Sequence, residues 1–101
     1  MRDGFTELQT DALCVTQALL GVISQNFRMV SVTREEQRVV VRILLACENG
    51  EDIEEIDDLK TELEACFPGS VEIDVKVAVS EEPLILDPPS ESTIVVFKRR
   101  E

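Results

Sequence analysis

The sequence predicts an α+β protein: a two-layer sandwich in the order αββαββ, with two helices covering one face of a four-stranded antiparallel sheet. Three observations carry this expectation. Apolar residues recur at spacings of three and four in two segments, over residues 8–23 and 53–67, as one face of a helix requires. Apolar residues instead occupy every second position in 38–47 and 71–80, the period of a strand. The 101 residues make one domain, 1–101, large enough to bury roughly 60–68% of its unfolded surface.

The first helix is expected over 6–25. Thr6-Glu7-Leu8-Gln9 has the form of a capping box, and Ala12, Val15, Leu19, Val22 and Ile23 then fall on one face. Leu8, Leu13 and Leu20 widen that stripe. Gly21 weakens the helix, unless it permits a close approach to the sheet. A hairpin is expected over 27–47. Its first strand, Phe27–Thr33, points Val30 and Val32 one way and Phe27 and Met29 the other. Arg34–Gln37 is the turn. In the second strand Val39, Val41, Ile43, Leu45 and Cys47 form an unbroken apolar face.

Asn49 then caps a second helix, 50–67, whose buried face should carry Ile53, Ile56, Leu59, Leu63 and Phe67. Phe67-Pro68-Gly69-Ser70 ends it. A second hairpin is expected over 71–98. In its first strand Val71, Ile73, Val75, Val77 and Val79 are the dry face, and Glu72, Asp74 and Lys76 are wet. A connection with Pro83, Pro88 and Pro89 leads to the last strand, Thr93–Lys98. Within it Leu84-Ile85-Leu86 is either an added piece of core or a projecting anchor. The order helix, hairpin, helix, hairpin suggests a twofold structural repeat. The second sheet face would carry Arg38, Arg42, Glu72, Asp74 and Lys76.

Composition narrows the chemistry. The chain has no His, no CxxC pair, no phosphate-binding loop and no EF-hand spacing. Cys14, Cys47 and Cys66 read as three small buried apolar residues, Cys47 being the most sensitive to a hydroxyl. One disulfide among them is compatible with the sequence, which does not pair them. No cofactor or metal is expected, and no catalytic residue stands out, so the chain is read as no enzyme. A sequence pI near 4.3 disfavours direct nucleic-acid binding. No apolar run is long enough to span a membrane and the N-terminus lacks a signal peptide's core, so a cytoplasmic protein is expected.

The densest feature is acidic. Between Glu48 and Glu64 nine acids face one base, Lys60, a net −8 of the chain's −11. Glu51, Asp52, Glu54, Glu55, Asp57, Asp58, Glu62 and Glu64 are the candidate partner-binding residues. Exposed acids make poor catalysts, but they attract a basic partner.

Ala18-Leu19-Leu20-Gly21, then Asn26-Phe27-Arg28-Met29-Val30-Ser31-Val32, then Ala65-Cys66-Phe67-Pro68 and Ser80-Glu81-Glu82-Pro83 resemble a group of small acidic bacterial proteins. Some of these are similar to immunity proteins of contact-dependent growth inhibition and related polymorphic-toxin systems. The resemblance implies a non-catalytic protein that neutralises a cognate toxin. A toxin nuclease must grip phosphate and so carries a positive cleft, which an acidic helix can fill. The alternative is a homo-oligomeric regulatory or scaffold domain, whose exposed sheet surfaces pair between copies.

Overall fold

The computed structural model describes residues 4–67, 69–82 and 93–100. The elements are α1 (Gly4–Leu19), β1 (Phe27–Glu35), β2 (Arg38–Leu45), α2 (Gly50–Cys66), β3 (Glu72–Val79) and β4 (Thr93–Lys98). Two helices and a four-stranded sheet make an α+β fold, as expected. The sheet, however, is mixed. Its order is β3-β2-β1-β4, with β1 antiparallel to β2 and to β4, and β2 parallel to β3.

That parallel pair corrects the all-antiparallel expectation. Alternation reports which face a side chain takes, not the direction of the neighbouring strand. A helix between β2 and β3 is long enough to return the chain to the starting end, which a parallel pair requires. The second hairpin and the twofold repeat are overturned too, because β3 and β4 lie at opposite edges of the sheet. Leu84-Ile85-Leu86 lies outside the described residues.

The first hairpin forms as expected, around a turn at Glu36-Gln37. Glu36 takes a positive φ of 53°, a conformation that side chains bearing a Cβ resist. A bulge between Phe27 and Met29 changes the pleat. Phe27 was expected opposite Val30 and Val32, but the extra residue turns it into the same core. Arg28, the inserted residue, is buried, and its Nη1 donates to the Ser80 carbonyl at 2.6 Å.

α1 starts earlier than the expected Thr6 cap and stops at Leu19, well short of Gln25. The side chain of Thr6 lies outside the described ones. Beyond Leu19 the backbone tightens: Val22 N–H donates to the Leu19 carbonyl at 2.9 Å. Gly21 sits in this turn, with no atom near where a Cβ would stand, so no close sheet approach explains it. Val22 is still buried, whereas Leu13, Leu20 and Ile23 are exposed.

The core joins Leu8, Val15 and Leu19 of α1 to Ile56, Leu59 and Leu63 of α2 and to the β1 and β2 valines. Asp11 of α1 is buried with them, and Arg34 of β1 donates to both its oxygens at 3.1 and 3.2 Å. Among the described residues every buried side-chain nitrogen and oxygen has a hydrogen-bond partner.

The cysteines divide differently from the expectation of three buried residues. Cys14 is buried, but Cys47 and Cys66 are exposed. β2 ends at Leu45, so Cys47 leaves the apolar face that alternation assigned to it. Cys14 and Cys66 pair across α1 and α2, with Cα atoms 6.6 Å apart, within the span of a disulfide.

Leu59→Ala should cost about 2–5 kcal/mol in denaturant melts, since it opens a cavity where Leu59 is fully buried. Thiol titration of the oxidised, unfolded protein should find one free thiol, Cys47, and reduction should release two more. Reduction should lower the melting temperature, as a cross-link between residues 52 apart contributes up to about 4 kcal/mol. Cys47→Ser, being exposed, should shift stability by no more than about 0.5 kcal/mol.

Candidate partner-binding face

The acidic helix is built from its first turn upward. Asn49 caps α2 as expected, its Oδ1 accepting from the N–H groups of Glu51 at 2.9 Å and Asp52 at 3.3 Å. Glu51 and Asp52 lie at the positive end of the helix dipole, where acids are stabilised. A second asparagine then fixes this end to the sheet. Asn26 Nδ2 donates to the Cys47 carbonyl at 2.7 Å and to Asp52 Oδ2 at 2.9 Å. Asn26 Oδ1 accepts from Cys47 N–H at 2.9 Å.

Asp52 therefore departs from the candidate set. It is buried and spends its carboxylate inside the fold, positioning the helix. Ile53, expected in the core, is instead 40% exposed. The helical wheel holds the reason. At 100° per residue, Ile53 lies about 90° from the mean direction of Ile56, Leu59 and Leu63. Asp52 shares their direction, and Asn26 satisfies it there.

Glu51, Glu54, Glu55, Asp57, Asp58, Glu62 and Glu64 are all exposed. They line a helix about 25 Å long with Lys60 as its one base. Several acids stand four apart on the helix, Glu51 and Glu55, Glu54 and Asp58, Asp58 and Glu62, and repel one another. Glu62 and Glu64 lie near the negative end of the dipole, and the last turn holds no base to offset them. Only the first turn gains stability from its acids.

The groove beside the far end of α2 is lined by Glu64, Arg38, Ile73 and Asp74 among others. Arg38 donates to Asp74, whose hydrogen bond and then charge hold the guanidinium above its ordinary proton affinity. With Lys76 4.0 Å from Asp74, this wet sheet face balances charge locally, as the α2 face does not. Among the described residues no group of three His, Cys, Asp or Glu side chains could hold a metal. No described helix is long and apolar enough to cross a membrane.

The side chains that matter here and that periodicity missed are Asn26, which it left just past the expected end of the first helix with no role, and Ile53, read as core. Comparison with known proteins agrees with the resemblance to polymorphic-toxin immunity proteins. No curated protein matches the sequence. The family model for the MafI2 immunity protein matches residues 11–101, nearly the whole length, and the chain therefore belongs to the MafI2 immunity protein family.

Proposed function

We propose that this chain is the immunity partner of a basic toxin and neutralises it by binding, with the exposed face of α2 as its electrostatic contact. The observation that carries the reading is the seven exposed acids of one helix, set against a single lysine. Family membership supplies the toxin-directed role; the sign of the charge supplies the character of the partner. A toxin domain that acts on nucleic acid needs a positive cleft, and such a cleft complements this helix. Binding alone suffices for neutralisation, so the protein performs no chemistry of its own.

The cytoplasm is the compartment this function suggests, because a toxin acting on nucleic acid meets its target there. A reducing cytosol would keep Cys14 and Cys66 as thiols, and the fold has its shared core to rely on without them.

The partner for the test is a cognate toxin domain, to be sought in the reading frames next to the one that encodes this chain. Asp57→Lys with Asp58→Lys should slow its association at low salt at least tenfold. Both residues are exposed, so melting should change by little more than about 0.5 kcal/mol per substitution. The wild-type association rate should fall steeply between low and physiological salt, because exposed charges are screened over roughly 8–10 Å. An association rate that ignores both the reversal and the salt would refute the electrostatic contact.

A further inference from the structure

We infer that the toxin interface has an apolar centre beside the acids, formed by Ile53 of α2 with Val77 and Val79 of β3. The inference rests on the toxin-binding reading and names where on the protein that binding is held. Its first support is angular. On α2, Ile53, Asp57, Lys60 and Glu64 share one flank, about 80–140° from Asp52 at 100° per residue. Glu64 lines a groove together with Ile73 and Asp74 of β3, so this flank faces β3. Its second support is axial. α2 returns the chain from the end of β2 to the start of the parallel β3, so helix and strand run in opposite senses. Glu64 stands beside the start of β3, and Ile53, about 17 Å back along the helix, stands toward its end. Val77 and Val79 are paired there with Ile43 and Leu45.

Burial agrees. Along the same strand face Ile73 and Val75 are half-buried, whereas Val77 and Val79 are 38% and 48% exposed. The expected dry face of β3 is thus dry only over its first half. One exposed valine is ordinary on a protein surface, but three β-branched apolar side chains at one end of an edge strand form a patch. Such side chains lose little rotamer freedom on burial, which suits them to anchor a contact. Exposed acids adjoin these residues along the chain, Glu54 next to Ile53, Asp57 one turn on, and Glu81 and Glu82 just past β3. An apolar centre inside a charged rim is the ordinary anatomy of a protein interface. Here the rim is acidic, so the fitting occupant is a basic toxin surface that presents an apolar side chain or two.

The test separates the centre from the rim. Val79→Asp adds negative charge, which a purely electrostatic contact with a basic toxin would welcome. With the cognate toxin domain we expect Val79→Asp to speed dissociation at least tenfold, with low-salt association unchanged or faster. Ile53→Ala, a milder change on a helix, should act in the same direction if Val79→Asp compromises folding. Leu13→Asp, at a residue 61% exposed on α1, is the control and should leave dissociation unchanged. Dissociation unaltered in Val79→Asp and Ile53→Ala, or equally accelerated by Leu13→Asp, overturns the inference while the toxin-binding reading stands. A wild-type protein that binds no toxin overturns both. Patch-dependent self-association of the wild type, with toxin dissociation indifferent to the patch, assigns the patch to a second copy of the chain and likewise overturns it.

Discussion

The parallel pairing of β2 with β3 obliges the chain to travel back from the end of one strand to the start of the other, and α2 is that return. Much of the rest depends on it. A crossover helix must lie along the sheet, so one side of α2 is held by Ile56, Leu59 and Leu63 in the shared core. The opposite side is left to solvent over the helix's full length. A rigid rod of acids is thereby presented at a fixed angle to the sheet, on an element anchored by its core contacts. Charge on a loop would have to be ordered when a partner arrives; charge on this helix is ordered beforehand.

The anchoring is polar as well as apolar. Asn26, just before β1, binds both the Cys47 carbonyl and Asp52, so the end of β2 and the first turn of α2 are held by one side chain. At the other end of the helix, Cys66 meets Cys14 of α1. Arg34 and Asp11 tie α1 to β1 in the same manner, through a buried ion pair. Removing one member of such a pair leaves an uncompensated charge, which makes these contacts specific as well as costly to break. The helix layer is therefore constrained at several points, and the acidic face cannot easily turn toward the core.

Burial and charge pull against each other along α2. Its inner face contributes to the core. Its outer face carries like charges at helical spacing, which destabilise the helix by a few tenths of a kcal/mol per pair. Membership in the MafI2 immunity family is shown by the sequence match, and in the function proposed above this charge speeds the encounter with the toxin. In that proposal the acids govern encounter, and slow release, which needs desolvated contact, is assigned to the apolar end of β3 and Ile53.

Periodicity alone located all six elements, the Asn49 cap and the greater part of the core, because burial of one face imposes spacing that any reader of the residues can count. It also placed seven of the eight candidate acids on an exposed helical surface. Spacing failed wherever a residue's environment depends on a distant segment. Phe27 joined the core only through a bulge, Asp52 was buried because Asn26 awaited it, and Cys47 left the apolar face where β2 stopped. The direction of β3 and its place at the sheet edge were likewise decided in three dimensions. A strand's alternation is the same whether its neighbour runs parallel or antiparallel, and only the packing of α2 across the sheet settles which half of an apolar face stays dry.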